Sequence, residues 1–378
     1  MVRPGRITEH EQRCTLDRRG ELEPRVTATG CLVECLGQHP FGMITADDYF
    51  IDPGVSVLMG NGGARLRSVV TVGRGHILYN LAGDFDGDGL LDVMAQNYDD
   101  YIIDFLKGNG DGTFGAPRPA GFAGTLEVAG RFDANDSMDL VAGGVVLLND
   151  GEGTFHPGQT LDDVFPTLTA DVRGNGSTDL VGAGATSSEL AVLLGNGDGT
   201  FGAPVVTALP NIVQSGLAVG KIDGDTRDDV AVGTSNGPFG INTVSVLLSN
   251  GDGTFTAGAD VVLAAGPLSL ALADVTGDGT TDLLAANGAV GTYLAVGHGD
   301  GTFDDPVSFD AQPALSVVAA DFDQDGVIDV VTLNYNPDSA QFFRGLGGGA
   351  FAPPVPMHSA SASRALLVQL TGSAPSVM

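Results

Sequence analysis

Tryptophan is absent from this 378-residue chain, and only 6% of its residues are aromatic. That argues against a binding platform built on stacked indoles. Basic residues are also scarce: 17 Lys and Arg stand against 47 Asp and Glu, for a net charge of −30. Nucleic acid needs a basic patch, so it is excluded as a partner, and anionic membrane surfaces are disfavoured for the same reason. All three cysteines (Cys14, Cys31, Cys35) fall within the first 35 residues, so the remainder does not rely on disulfides. With His39 they could form a Cys₃His zinc site, but their irregular spacing favours incidental thiols or a single Cys31–Cys35 bridge. No apolar run is long enough to span a membrane. The N-terminus, MVRPGRITEHEQRC, lacks the apolar core of a secretory signal. Residues 1–38 match no repeat and are expected to be a poorly ordered extension.

What is abundant is glycine, at 57 residues, and aspartate arranged in loops. Asp84-Phe-Asp-Gly-Asp-Gly-Leu-Leu-Asp92 and Asp321-Phe-Asp-Gln-Asp-Gly-Val-Ile-Asp329 each carry acids at positions 1, 3, 5 and 9. Alternating carboxylates converge on one point when the backbone curls around it. Glycine at position 6 permits the bend, position 7 offers a carbonyl, and the last Asp closes the shell. This is a calcium-loop pattern. An EF-hand loop is longer, ends in Glu and lies between helices; here β-rich sequence flanks both sides.

Position 1 of the loop recurs at Asp84, Arg131, Asp171, Lys221, Asp274 and Asp321, at intervals of 47, 40, 50, 53 and 47 residues. A glycine-rich turn follows each loop, Asn-Gly-Asp-Gly-Thr-Phe ending at Phe114 and then variants ending at Phe155, Phe201, Phe255, Phe303 and Phe351. The fifth unit reads as four strands: Leu268 to Ala273, Asp282 to Ala286, Thr292 to Val296, and Phe303 to about Phe309. Four short antiparallel strands in such a period describe a propeller blade. Six complete units leave remnants at both ends. The N-terminal side offers strands near Phe41–Thr45, Val55–Met59 and Arg67–Val72; the C-terminal side offers Ala365–Leu370 and a degenerate loop at Gln369–Ser373. Joined, they make a seventh blade. The expectation is an all-β, seven-bladed propeller over residues 39–378, its open edges removed by that joint.

These loops and turns resemble the FG-GAP/VCBS repeat family, whose integrin α-subunit members form seven-bladed propellers. The resemblance covers residues 41–373 and is specific for fold. For function it implies adhesion, glycan binding or scaffolding.

Two complete calcium shells are expected. One is Asp84, Asp86, Asp88 and Asp92 with the Leu90 carbonyl; the other is Asp321, Asp323, Asp325 and Asp329 with the Val327 carbonyl. Asp274, Thr276, Asp278 and Asp282 form a third shell with one hydroxyl and weaker binding. In the other repeats a cation stands within the loop. Arg131 is expected to pair with Asp133 and Asp139, Arg173 with Asp171 and Asp179, and Lys221 with Asp223, Asp225 and Asp229. Extracellular calcium modules fill at about 10⁻⁴–10⁻³ M calcium, which points to the cell exterior or surface.

Catalytic motifs are wanting. Gly233-Thr-Ser-Asn-Gly237 matches a nucleophile elbow but no helix follows it. Glycine-rich stretches such as Gly110–Gly115 open onto strands, so they are hairpin turns and not nucleotide loops. The six histidines form no cluster, and no enzyme activity is expected. In a meander the calcium loops and glycine turns share one face. The opposite face carries Asn97, Tyr98, Asn334 and Tyr335, where rings beside amides could hold a protein or glycan ligand. The alternative for the asparagines is capping of strand-end turns. The expected function is therefore a non-catalytic, calcium-binding propeller for extracellular adhesion or protein interaction. The alternative is a lectin, or a propeller accessory to a carbohydrate-active enzyme. Ligand and oligomeric state are not legible.

Overall fold

The structure is a computed structural model describing residues 41–47, 54–60, 66–72, 77–97, 100–110, 113–161, 164–235, 242–334, 339–357 and 362–369. All of them belong to the compact unit His39–Met378. The expected N-terminal extension with its cysteines, the degenerate loop at Gln369–Ser373 beyond Gln369 itself, Tyr98 and Tyr335 lie outside the described residues.

No helix is found among the described residues. Each repeat forms an antiparallel sheet in chain order. In the first repeat Ile77–Gly83, Asp92–Asn97, Ile102–Leu106 and Arg118–Ala123 pair successively. In the fifth, Ser269–Ala273, Asp282–Asn287, Gly291–Ala295 and Val307–Asp310 do the same. The fourth strand there starts later than the sequence pattern predicts. Phe303 makes an isolated bridge to Gly297 that closes the turn, and Pro306, which has no N–H to donate, stands before the ladder resumes at Val307. The fourth repeat differs, its third strand Asn242–Ser249 pairing with both Phe255–Ala257 and Val261–Leu263.

Residues from the two ends of the chain share one sheet. Ala362–Gln369 pairs with Phe41–Asp47, which pairs with Gly54–Gly60, which pairs with Leu66–Val72. The register runs from Phe41 opposite Gln369 to Asp47 opposite Ala362.

Burial follows strand position. The second strand of each repeat is buried along almost its whole length, because strands flank it on both sides and other sheets cover both faces. The fourth strands alternate or lie open, as Arg118–Ala123 and Val205–Ala208 do. The apolar core sits between consecutive sheets. One cluster joins Leu81, Phe85 and Met94 of the first repeat to Met138 and Leu140 of the second. Another joins Val275 and Leu284 of the fifth to Val317 and Phe343 of the sixth.

The Asp loop is anchored at two points. Its second residue is always apolar and buried: Phe85, Phe132, Val172, Ile222, Val275 and Phe322. Its ninth residue is always Asp and shows no exposed surface: Asp92, Asp139, Asp179, Asp229, Asp282 and Asp329. In five repeats one oxygen of that carboxylate accepts the N–H of an apolar position-2 residue or its neighbour, and in all six the other accepts an N–H at the end of the third strand. For Asp92 the donors are Phe85 at 3.0 Å and Gly108 at 2.8 Å. For Asp139 they are Phe132 and Asn149, both at 2.8 Å. Asp229 and Asp329 repeat the arrangement. In Asp282 the donors are Thr276 and Gly297. Asp179 keeps the Gly195 bond and takes Arg173 as its second partner.

Two outcomes follow from this latch. Replacing Asp139 by Ala strands two buried N–H donors, each costing about 1–3 kcal/mol. Asp139→Ala should therefore lower unfolding free energy by about 2–6 kcal/mol in urea titrations, equally with calcium and with chelator. A loss well under about 1 kcal/mol would show that the carboxylate is not structural. The second outcome concerns pH. Burial pushes Asp92 up to about 7, and Asp139 and Asp329 up to about 6. These folded values lie above the ordinary Asp value of about 3.9, so folding takes up protons. Their contribution is fully present below pH ~4 and is lost as pH rises through 6 to 7. In chelator, the melting temperature should rise as pH is lowered from about 8 to about 5.5. A fall over that range contradicts the assignment.

Candidate metal loops and the opposite face

The first and sixth loops bring their acids together. Carboxylate oxygens of Asp84, Asp86 and Asp88 lie within 4.8 Å of one another, as do those of Asp321, Asp323 and Asp325. Among the described residues these are the two such triplets. The fold of each loop is set by its first Asp. Asp84 accepts the N–H of Gly87 at 2.8 Å and of Gly89 at 2.9 Å, which curls the backbone around the carboxylate. Asp321 does the same with Asp325 at 3.0 Å and Gly326 at 2.9 Å. The bend at position 6 requires positive φ, which Gly89 (81°) and Gly326 (86°) adopt without a Cβ penalty. In the second repeat Asp136 holds the same place at 61°.

The closing acids stand apart. Asp92 and Asp329 are not members of the triplets; their oxygens are engaged by backbone N–H groups as described above. Leu90 and Val327 are held at position 7 by their own N–H groups, which donate to Asp88 and Asp325. In the fifth loop Asp274 accepts from Gly277 and Gly279, and the Thr276 hydroxyl donates to Asp274 at 3.4 Å. Asp278 there accepts both the N–H and the hydroxyl of Thr280, which hold its carboxyl below the usual range. Asp282 serves as the latch.

All the side-chain ligands in the first and sixth loops are hard carboxylate oxygens, the donor type that suits calcium. Asp86 Oδ1 is buried and finds no hydrogen-bond partner, so one acceptor in the first triplet is uncompensated. The residues fit a hard divalent cation.

The cations are arranged differently from the sequence expectation. Arg173 does bind Asp179, at 2.6 Å, and the Gly195 carbonyl, but Asp171 is curled onto Asn175 and Gly176 instead. Lys221 pairs with Asp228 at 2.8 Å and not with Asp223, Asp225 or Asp229. Asp228 lies at position 8, where its other oxygen accepts the N–H of Asp171 in the preceding repeat. Arg131 is exposed and makes no ion pair among the described residues. The complete loops, expected to be free for metal, do carry cations. Lys107 contacts Asp86 and lies 2.6 Å from Asp88. Arg344 lies 2.7 Å from Asp323 and 2.5 Å from Asp325. Those carboxylates hold Lys107 and Arg344 above their ordinary pKa values. Aligning the repeats would have located both residues, because each immediately precedes the glycine that binds a closing Asp.

The glycine turns of the second, third, fourth and sixth repeats lean on the loop of the preceding repeat. Asn149 donates to the Phe85 carbonyl, Ser249 to Val172, the Gly199 N–H to Phe132, and the Gly348 N–H to Thr276. Loops and turns therefore share one face, as the meander requires.

At the other ends of the strands, Asn97 and Asn334 are buried, each 5% exposed. Asn287 stands at the same register, and its side-chain oxygen accepts the N–H groups of Ala289 and Val290. This is a turn-holding arrangement. The Asn334 oxygen accepts the Thr332 hydroxyl. Beside Asn97 the surface opens. Ile102 pairs with Ala123 and Asp104 with Pro119, so the fourth strand bulges away from the third. The bulge leaves a groove of about 620 Å³ lined by Asp100, Tyr101, Ile102, Pro119, Phe122 and Thr125, among others. Tyr101 is 58% exposed and has a φ of 58°, a conformation uncommon for a non-glycine residue. Gln96 ties the groove's floor to the next repeat by bonding Gly124 and Leu126. Tyr101 carries no motif, and only the backbone geometry singles it out.

The FG-GAP-like repeat model matches residues 171–232, 221–285 and 274–332, in three tandem copies. No match was found among curated proteins. Solved structures give likenesses of fold. An Agrocybe aegerita lectin specific for non-reducing terminal N-acetylglucosamine is 19% identical with a TM-score of 0.63, over 88% of this chain and 96% of the lectin. A Lactobacillus plantarum protein is 13% identical with a TM-score of 0.64, over 88% of this chain and 100% of that one. A Bacteroides fragilis protein provisionally described as a 6-phosphogluconolactonase is 11% identical with a TM-score of 0.62, over 88% and 99%. Tandem Asp loops and glycine turns in fixed order, four-stranded antiparallel sheets and the family match converge: residues 171–332 are tandem FG-GAP-like repeats within an all-β, propeller-like fold.

Proposed function

We propose that this chain is a non-catalytic, calcium-binding propeller of seven blades that mediates adhesion or protein interaction outside the cell. The observation that carries the metal reading is the pair of acid triplets at identical register in the first and sixth repeats. The sheet formed by Ala362–Gln369 with the three N-terminal strands supports a ring closed by both ends of the chain. In a ring of that kind the loops fasten neighbouring blades, and millimolar calcium would hold them. No helix among the described residues is long and apolar enough to cross a membrane.

The ligand face in this reading is the one opposite the calcium loops. A glycan is the second reading, favoured by the groove at Tyr101 and by the fold shared with an N-acetylglucosamine-binding lectin. An exposed ring beside the Asp100 carboxylate offers both a stacking surface and a hydrogen-bond acceptor for sugar hydroxyls.

A thermal melt tests the metal. Millimolar calcium is about 1–10 times a dissociation constant of about 10⁻⁴–10⁻³ M and stabilises by roughly 0.4–1.4 kcal/mol per site, so it should raise the melting temperature over chelator. Asp86→Ala together with Asp323→Ala should abolish that rise; an unchanged melting temperature in the parent protein removes the calcium assignment. A glycan array separates the two ligand readings. Saccharide binding lost in Tyr101→Ala, with melting unaltered, selects the lectin; a blank array leaves a protein ligand.

A further inference from the structure

Lys107 and Arg344 occupy one register of the repeat, immediately before Gly108 and Gly345. The remaining repeats hold Leu148, Leu194, Leu248 and Val296 there. The difference follows the composition of the adjacent loop. Where positions 1, 3 and 5 are all Asp, the residue is a cation. Where the loop lacks one or more of those acids, it is apolar. The apolar side chains take a different course: Leu148, Leu194 and Leu248 lie against Gly199, Gly253 and Gly301 in the turn of the following repeat.

The geometry matches this distribution. Each cation reaches the acids at positions 3 and 5, and neither contacts position 1, which is already curled onto loop N–H groups. Asp86 and Asp323 are the better-covered members, with 12% and 7% side-chain exposure, whereas Lys107 and Arg344 are 47% and 42% exposed. The charged ends therefore reach inward while their stems stay open to solvent and free to swing away. Convergent carboxylates repel unless a positive charge stands among them. Here the chain supplies one.

We propose that Lys107 and Arg344 are tethered counter-ions that hold Asp86 with Asp88 and Asp323 with Asp325 when no divalent ion is bound. With the calcium reading above, on which this consequence rests, an incoming ion must displace them, so they lower metal affinity. A cation paired with the ligands makes the binding-competent state a fraction of the population, and removing that competition tightens binding by the inverse of the fraction. Their absence from the other repeats then has a reason: loops with fewer acids have less repulsion to relieve.

The test uses the full chain with Lys107→Met, Arg344→Met, both together, and Leu148→Met as a register-matched control. Methionine keeps an unbranched stem and removes the charge. Calorimetric titration with calcium chloride and melting in chelator are read for each. Each single variant should tighten one calcium site by about tenfold or more and leave the other unchanged. Each should also melt below the parent in chelator, and Lys107→Arg should behave as the parent. Parental calcium affinity and parental chelator melting in both charge-removing variants would overturn the proposal. If no protein in the series binds calcium but the charge-removing variants still melt lower in chelator, the calcium reading falls. The counter-ions then stand as the permanent occupants of the triplets.

Discussion

A buried carboxylate bonded to backbone N–H groups is the interaction on which this structure depends. The ninth residue of every Asp loop lies between the loop and the end of the third strand, and it accepts a hydrogen bond from the strand end in all six repeats. In five of them its second oxygen accepts from the start of the loop. In the third repeat Arg173 Nε takes that place, at 3.4 Å. Turns buried under neighbouring sheets would otherwise leave these N–H groups without partners, at about 1–3 kcal/mol each. The cost is a charge held in a poorly solvated place, visible as the raised pKa values of Asp92, Asp139 and Asp329.

This latch divides the loop into two parts with different roles. Position 9, with the apolar residue at position 2, belongs to the fold and is kept in every repeat, whatever stands at positions 1, 3 and 5. Those three positions vary, and only in the first and sixth repeats do they form an acid triplet. The pattern that reads in sequence as one nine-residue loop is thus divided between a latch at position 9 and an acid-lined cup at positions 1, 3 and 5. The cup is open to solvent along one side, which is where Lys107 and Arg344 enter.

Neighbouring repeats are then joined through the same hardware. In the second, third, fourth and sixth repeats the glycine turn hydrogen-bonds the loop of the repeat before it, and aromatic pairs such as Phe85 with Phe155 at 6.3 Å fill the space beneath. A change at a loop is consequently felt by two sheets. The opposite face is built with less repetition. Asn287 holds a turn there, and a groove at Tyr101 arises from an irregular pairing in the first repeat.

Strand order, the loop and turn positions and the joining of both chain ends in one sheet were legible from sequence. Each is dictated by a local repeat: alternate apolar residues, glycines at positive φ, and Asp at fixed spacing. The late start of the strand at Val307 was legible only in part, since Pro306 had to be weighed against the Phe303 pattern. What tertiary structure alone decided was which charges meet. Lys221 reaches Asp228 instead of the acids nearer the cup, and Lys107 and Arg344 reach carboxylates 19 to 21 residues away. Sequence spacing governs backbone hydrogen bonds, which act over a few residues. Ion pairs between long side chains depend on where separate strands end, and that is set only when the sheets pack.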